Sequence, residues 1–215
     1  MSQSPNTTHA YSFMSLAPVI PVLTVRDAAD GVAQARALVA GGLPAIEVTL
    51  RTPKALEAIG AIRDQVKGAF VGAGTILRPE QIREACAAGA RFLVSPGASP
   101  RLAAAAAAAP VPFLPGVATA SEAIALMELG FYALKFFPAE SVGGAKHLAS
   151  LAAPLPELRF CPTGGIDAAK APSYLALSNV VCVGGSWMLP KSALVVGDYG
   201  EVEQLAREAA ALKKA

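Results

Sequence analysis

Short apolar segments alternate along this chain with longer segments that have helical periodicity. The apolar segments are rich in β-branched and aromatic residues, a pattern typical of parallel strands that are buried on both faces. Apolar positions spaced by three and four residues predict helices over residues 28–40, 53–66, 79–88 and 121–129. The sequence also predicts eight strands, at residues 19–25, 45–50, 70–75, 92–96, 113–117, 133–137, 159–163 and 180–184.

The spacing of the predicted strands indicates how they are arranged. Their first residues run from 19 to 180 in seven steps of about 23 residues, which is one strand–helix unit repeated eight times. Eight such units can close into a (β/α)8 TIM barrel, and an open doubly wound sheet is the alternative. No GxGxxG motif follows the first strand, which favours the barrel. We therefore expect a flexible tail over residues 1–16 and one α/β barrel domain over residues 17–215.

An uncharged stretch at residues 102–121 has about the length of a membrane span. Pro110, Pro112 and Pro115 interrupt it, and a lipid-facing helix would lose backbone hydrogen bonds at these positions. We expect instead a helix over the alanine run at residues 103–109, then a turn and a buried strand, with no membrane contact.

The composition restricts the class of protein. The chain is 53% hydrophobic and 16% charged, which is enough apolar surface to fold, and its net charge of +2 does not suggest a nucleic-acid partner. The N-terminus has neither the basic nor the apolar region of a signal peptide. Cys86, Cys161 and Cys182 form no CxxC pair, so we expect reduced thiols in a cytoplasmic protein.

Two charged side chains lie in the middle of predicted apolar strands, Glu47 in the second strand and Lys135 in the sixth, whereas Arg159 lies at the start of the seventh. A charge inside a packed core is costly unless it is paired or functional. Burial disfavours the ammonium form of a lysine, and the neutral amine can attack a ketone to form an imine. Glu47 is then available as a proton carrier, and Arg51, which shares its strand face, offers a fork for a carboxylate. A purely structural Lys135–Glu47 ion pair is the alternative.

Glycine pairs follow the seventh and eighth predicted strands, at Gly164-Gly165 and Gly184-Gly185, and Ser186 comes next. Glycine lets backbone N–H groups approach an anion closely, and these loops are a common phosphate site in barrels. Each pair alone could mark an ordinary turn, but both together favour a phosphate site. The two histidines, His9 and His147, do not form a metal-binding pattern with carboxylates, so we expect no metal and no cofactor.

Seven motifs occur in the order VTLRT, GAGT, SPG, PG, KFFPAE, FCPTGGI and GGSW. Together they resemble the bacterial 2-keto-3-deoxy-6-phosphogluconate (KDPG) aldolases, which often also act as 4-hydroxy-2-oxoglutarate (KHG) aldolases. KFFPAE, FCPTGGI and VTLRT are the specific ones, and the resemblance extends from about residue 17 to residue 210. It implies a homotrimeric barrel and a class I aldolase, an enzyme that forms a Schiff base with its substrate.

The resemblance also implies a role for each candidate residue. Lys135 would form the imine and Glu47 would act as general acid and base. The remaining implied contacts are Arg51, Thr75 and Thr163 with the pyruvyl carboxylate, Pro96 and Phe137 packing on the substrate, and Gly164, Gly165, Gly184, Gly185 and Ser186 around the phosphate.

The predicted reaction cleaves a 2-oxo-3-deoxy-6-phospho sugar acid to pyruvate and glyceraldehyde 3-phosphate. The residues leave open which aldehyde is preferred. Two rival functions remain at this point, a phosphate-binding barrel isomerase that uses Glu47 as its base, and a sugar-phosphate binder without catalysis. One barrel fold hosts many chemistries, so the fold alone does not separate them.

Overall fold

Parallel strands form the centre of the protein in the computed structural model, which describes residues 5–212. The strands are β1 (Val19–Leu23), β2 (Ala45–Thr49), β3 (Phe70–Gly74), β4 (Leu93–Val94), β5 (Phe113–Leu114), β6 (Gly116–Val117), β7 (Ala133–Phe136), β8 (Arg159–Pro162) and β9 (Val183–Gly185). The helices are α1 (Pro5–Met14), α2 (Ala28–Ala40), α3 (Ala55–Gln65), α4 (Pro79–Ala88), α5 (Pro100–Ala107), α6 (Ala120–Glu128), α7 (Gly144–Ser150), α8 (Ala171–Leu175), α9 (Lys191–Val196) and α10 (Tyr199–Ala210), with a 3₁₀ turn over Glu140–Val142.

The predicted alternation of strand and helix is confirmed. Each of the eight predicted strand segments overlaps an observed strand, and α2 and α4 cover the predicted residues. The fifth segment is divided into β5 and β6 at Pro115, because proline has no N–H to donate to a neighbouring strand. The uncharged stretch forms most of α5 and then β5 and β6, and within residues 5–212 no helix is long and apolar enough to cross a membrane.

The strands pair in parallel and form two curled sheets. One sheet has six strands in the order β5-β4-β3-β2-β1-β9, and the other has three in the order β6-β7-β8. Two further parallel bridges connect the region of β8 to the region of β9. Phe160 of β8 pairs with Val180, which precedes β9, and Thr163, which follows β8, pairs with Gly184 of β9. Because all these strands run the same way, their carboxyl ends gather at one end of the domain, where α/β proteins place their sites.

The core has two parts. The larger lies between the strands and the surrounding helices. The smaller lies inside the curled sheets and contains Ala10, Phe13, Met14, Ile20, Ala45, Phe92, Val94, Leu114, Ala133, Cys161 and Cys182.

Helix α1 supplies part of this inner core. The Phe13 ring stacks on Phe92 with 4.2 Å between ring centroids, and Phe13 and Met14 are fully buried. We expected a flexible tail over residues 1–16, but residues 5–14 are helical because Ala10, Phe13 and Met14 form one apolar face. Residues 1–4 of that segment lie outside the described residues.

Candidate active site

Lys135 and Glu47 meet in the interior of the domain. Lys135 lies on β7 and Glu47 on β2, in different sheets, and the exposed fractions of the two residues are 5% and 4%. The Lys135 Nζ atom is 3.2 Å from Glu47 Oε1 and 3.4 Å from Oε2, so it donates to the carboxylate. The contact therefore crosses the space between the sheets, and each charge partly compensates the burial of the other.

A glycine makes room for the Glu47 carboxylate. Gly74 ends β3, next to β2, and a Cβ atom placed on it would lie 2.1 Å from Glu47 Oε1. No real Cβ tolerates that distance, so any larger residue at position 74 would displace the carboxylate. The GAGT motif therefore contributes to the site by lacking a side chain at this position.

The amine has an aromatic neighbour. The Lys135 Nζ atom lies 5.5 Å from the centroid of the Phe137 ring, and Phe137 is half-buried. Pro96 follows β4 and is also half-buried. Its backbone packs on Gly116, where an added Cβ atom would lie only 2.3 Å away. Gly116 is the residue of β6 that pairs with Lys135. The structure thus brings both predicted packing residues to the region around Lys135.

Arg51 and Thr75 form a second pair, at the ends of neighbouring strands. Arg51 follows β2, Thr75 follows β3, and the guanidinium Nε donates to the Thr75 hydroxyl at 3.2 Å. Thr75 has a φ angle of 60°, in the left-handed region that is unfavourable for a β-branched residue. Such strain tends to occur at functional positions. The guanidinium end of Arg51 is exposed and has the fork geometry that fits a carboxylate.

Thr163 follows β8 and is buried, with its hydroxyl 3.4 Å from the Cys161 carbonyl oxygen. A Cβ atom on Gly184 would lie 2.3 Å from this hydroxyl oxygen. Gly184 therefore leaves room for Thr163, in addition to any contact with an anion. Sequence reasoning assigned Gly184 to the phosphate site alone and missed this contact, because it depends on the bridge between the two strands.

The two glycine pairs lie side by side, because that bridge joins Thr163, the residue before the first pair, to Gly184 at the end of β9. Gly164 and Gly165 have φ angles of 107° and 78°, which favour glycine. Gly165 and Ser186 are exposed, whereas Gly185 is buried.

Trp187 explains the burial of Gly185. A Cβ atom on Gly185 would lie 2.0 Å from the Trp187 ring, so the indole packs directly on this backbone. The second glycine pair is therefore part of a packed strand end, in β9, rather than a turn.

Sequence reasoning missed a polar cluster beside the first glycine pair. The buried Tyr174 hydroxyl donates to the Glu140 carboxylate, and Lys170 Nζ is 3.1 Å from the same carboxylate. The Tyr174 hydroxyl, followed by the Lys170 ammonium, lowers the pKa of Glu140. Burial and the Glu140 charge raise the pKa of Tyr174. The sequence shows Glu140 as the last residue of the KFFPAE motif. It does not show that Tyr174, on α8, is its partner.

Within the part of the chain that the structure describes, no three His, Cys, Asp or Glu side chains lie close enough to hold a metal ion together. His147 belongs to α7, and its ring stacks on Phe136 with 5.6 Å between centroids. Around Lys135 and the strand ends, the candidate groups are the Lys135 amine, the Glu47 carboxylate, the Arg51 guanidinium, hydroxyl groups and backbone N–H groups.

Comparisons with known proteins agree on one family. The family model described as KDPG and KHG aldolase matches residues 11–205. The KHG/KDPG aldolase of Escherichia coli K12 is 48% identical over 202 residues, which are 94% of this chain and 95% of the relative.

Two crystal structures are similar along the whole fold. The 2-keto-3-deoxy-6-phosphogluconate aldolase of Zymomonas mobilis ZM4 with 3-phosphoglycerate has a TM-score of 0.93 and 47% identity, covering 97% of this chain and 98% of the other. The KDPG aldolase of Legionella pneumophila, with pyruvate captured as a covalent carbinolamine, has a TM-score of 0.91 and 38% identity, covering 94% and 98%. The matched family segment includes every site residue described above.

Proposed function

The chain belongs to the KDPG and KHG aldolase family, and we propose that it is a class I aldolase that cleaves KDPG reversibly to pyruvate and D-glyceraldehyde 3-phosphate. The observation that carries this proposal is the buried contact of 3.2 Å between Lys135 Nζ and Glu47 Oε1. The name of the Escherichia coli relative supports 4-hydroxy-2-oxoglutarate as a second substrate.

The first chemical step joins Lys135 to the substrate. The neutral Nζ amine attacks the C2 ketone to form a carbinolamine, which loses water to give a protonated imine. Glu47 takes the proton that leaves the amine, because it lies within hydrogen-bonding distance of Nζ, and returns it to the hydroxyl group that departs as water, so the carboxylate is restored before cleavage. The carbinolamine captured with pyruvate in the Legionella pneumophila relative supports this route.

Cleavage then uses the imine as an electron sink. Glu47, acting through a water molecule, takes the proton of the C4 hydroxyl group, and the C3–C4 bond breaks to release glyceraldehyde 3-phosphate. The bonding electrons form a double bond between C3 and the imine carbon, and the imine π electrons move to nitrogen. The product is an enamine on Lys135. Protonation at C3, with the proton returned from Glu47, followed by hydrolysis, releases pyruvate and the free amine.

The remaining residues bind the two ends of the substrate. Arg51, Thr75 and Thr163 hold the carboxylate next to the reacting ketone, and Pro96 and Phe137 pack on the carbon chain. The phosphate lies between the loop that follows β8 and the carboxyl end of β9, where backbone N–H groups of Gly164, Gly165, Gly184 and Gly185 and the Ser186 hydroxyl surround it. The exposure of Gly165 and Ser186 at adjacent strand ends supports this assignment.

Borohydride reduction in the presence of pyruvate tests the function directly. The expected result is a stable adduct of pyruvate on Lys135, found by peptide mapping, and its loss in Lys135→Met. Pyruvate release from KDPG is followed in parallel with lactate dehydrogenase. Conversion of KDPG without pyruvate release and without an adduct would favour the barrel isomerase, and ligand-induced stabilisation without turnover would favour a sugar-phosphate binder. An adduct on another lysine would overturn the mechanism.

We also propose that the two sheets form one closed (β/α)8 barrel within residues 17–215, and that the enzyme is a cytoplasmic homotrimer. The bridge between Thr163 and Gly184, and the single residue between β5 and β6, support closure. Cys86, Cys161 and Cys182 form no disulfide within residues 5–212, which supports a reducing compartment. Light scattering on the purified protein tests the trimer.

A further inference from the structure

Two loops at the carboxyl ends of β7 and β8 are joined along their backbones. The N–H of Ala139 donates to the carbonyl of Thr163 at 2.8 Å, and the N–H of Glu140 donates to the carbonyl of Gly164 at 3.1 Å. The first loop follows the imine-forming Lys135, and the second contains the Gly164-Gly165 turn. The loops therefore behave as one unit that connects the two ends of the proposed substrate.

Side chains add a second set of contacts to this unit. The Tyr174 hydroxyl donates to Glu140 Oε1, and the Lys170 ammonium lies 3.1 Å from Glu140 Oε2. The same ammonium donates to the carbonyl of Gly165 at 3.0 Å. Tyr174 on α8 therefore fixes the Glu140 carboxylate, and Lys170 links that carboxylate to the Gly164-Gly165 turn. Tyr174 is 1% exposed, so its position is set by the core.

The Glu140 side chain also lies directly over the turn. A Cβ atom on Gly165 would come within 2.9 Å of both Cβ and Cγ of Glu140, and Gly165 has a φ angle of 78°. Glycine turns have high conformational freedom, and freezing that freedom when a ligand binds weakens affinity. A side chain packed on the turn and held at both carboxylate oxygens removes that freedom before the ligand arrives.

We propose that Glu140, Tyr174 and Lys170 are positioning residues that hold the Gly164-Gly165 turn in its phosphate-binding conformation, and so set the preference for phosphorylated over unphosphorylated substrates. The inference rests on the proposed function, which assigns the turn to the phosphate. The three side chains need not touch the substrate, because they act through the backbone of the turn.

The test compares KDPG with the same molecule without its phosphate, 2-dehydro-3-deoxygluconate. In Tyr174→Phe, which removes only the hydroxyl group, KM for KDPG should rise about three- to tenfold, with kcat almost unchanged. Inorganic phosphate should become a weaker competitive inhibitor by a similar factor. The kcat/KM for 2-dehydro-3-deoxygluconate and the rate of pyruvate trapping by borohydride should stay within about twofold of wild type. Glu140→Gln and Lys170→Met should shift the same ratio in the same direction.

Matched controls separate this role from general stability. Tyr199→Phe removes another hydroxyl that faces a carboxylate, at 3.5 Å from Asp30, and Arg207→Met breaks an exposed ion pair on α10. Neither should change the ratio of the two kcat/KM values. If Tyr174→Phe does not fold, the two partly exposed positions, Glu140 and Lys170, carry the test.

Equal losses on both substrates, or none in the folded variants, would overturn the positioning role while leaving the aldolase intact. Wild-type protein that neither cleaves KDPG nor traps pyruvate would instead overturn the proposed function. The two failures are therefore distinguishable.

Discussion

Single glycines determine where the functional side chains of this protein can lie. A Cβ atom would meet Glu47 Oε1 at 2.1 Å if placed on Gly74, and Thr163 Oγ1 at 2.3 Å if placed on Gly184. Neither glycine has a positive φ angle, so backbone conformation is not the reason for their presence. Glycine is required at both positions because the space is occupied. The Glu47 carboxylate lies against Gly74, and the Thr163 hydroxyl lies against Gly184.

Replacing Gly74 by alanine tests this account. The added methyl group should push the Glu47 carboxylate away from Lys135 and lower kcat for KDPG cleavage by about 10²-fold, since displacements near 1 Å have effects of that size. Steady-state kinetics with the lactate dehydrogenase assay measures it. Gly60→Ala on α3 is the control, because its Cβ would meet Ala88 O at an ordinary 3.5 Å. An unchanged kcat in Gly74→Ala would contradict the steric role.

Glu47→Gln keeps the shape of the side chain but removes its ability to carry a proton. We expect kcat to fall by about 10² to 10⁴, the usual contribution of a general acid–base group. Glu57→Gln, in an exposed pair with Lys54, should have no effect on kcat. A Glu47→Gln enzyme with wild-type kcat would show that Glu47 only neutralises Lys135, the structural alternative.

The buried contact between Lys135 and Glu47, the proposed catalytic pair, involves two residues that stand out in the sequence, whereas their supporting residues do not. Lys135 and Glu47 stand out because a charge in an apolar strand is costly without a purpose. The role of Gly74 depends on a distance between two strands, which spacing along the chain does not contain. The Glu140–Tyr174 contact joins residues 34 positions apart, so it too requires the fold.

At the scale of the elements, α6 shows how side chains determine where a helix begins. Helix α6 has a capping box, in which the Thr119 hydroxyl accepts from the N–H of Glu122 at 3.3 Å and Glu122 accepts from the N–H of Thr119 at 2.9 Å. The N–H of Ala118 also donates to Glu122, at 2.7 Å. These contacts satisfy backbone N–H groups that a helix leaves without partners at its start.

The capping carboxylate gives a pH-dependent contribution to stability. The Ala118 N–H, followed by the Thr119 hydroxyl and N–H, lowers the pKa of Glu122 below its model-compound value of 4.5. A lowered folded-state pKa means that the stabilisation is present above pH 4.5 and is lost as pH falls through the folded-state value. Glu122→Gln should therefore reduce the free energy of unfolding by about 1 kcal/mol at pH 7 and much less at low pH.

Urea denaturation at pH 7 and again near pH 3 measures this difference. Glu128→Gln on the same helix has no capping contact and should change the free energy of unfolding by less than about 0.5 kcal/mol at either pH. A Glu122→Gln effect that is equal at both pH values would contradict the assignment to the ionised carboxylate.

The elements themselves were largely predictable, with two instructive differences. The division of β5 from β6 follows from Pro115, a residue whose effect on strand pairing is readable in advance. Helix α1 was not predicted, although Ala10, Phe13 and Met14 have the spacing of a helix face. Three apolar residues in a polar segment are too few to indicate a helix until a surface that buries them is known.

For the molecule as a whole, α1 completes the core that lies within the curled sheets. Phe13 stacks on Phe92 and, at 6.4 Å between centroids, on Phe70, the first residue of β3. The helix therefore covers the amino ends of the strands, opposite the loops that carry Arg51 and the glycine pairs. Stability and chemistry are concentrated at opposite ends of the domain, as is general for this fold class.

Phe13→Ala should destabilise the whole protein by about 3–5 kcal/mol, because it leaves a cavity in a closely packed interior. Urea unfolding monitored by circular dichroism measures the change. Leu16→Ala, at a residue that is 46% exposed just after the helix, should cost less than about 0.5 kcal/mol. Folded Phe13→Ala protein should still trap pyruvate. Equal effects of the two substitutions would contradict a role of α1 in the core.

Trp187 gives this enzyme a built-in optical signal. It is the single tryptophan of the chain, and its ring rests on the backbone of Gly185 beside the proposed phosphate loops. All tryptophan fluorescence from the protein therefore originates at this one loop. A dianion that arrives there changes the electric field around the indole, so binding can be recorded in a stopped-flow instrument without attaching a dye, and separately from the later step that we propose at Lys135.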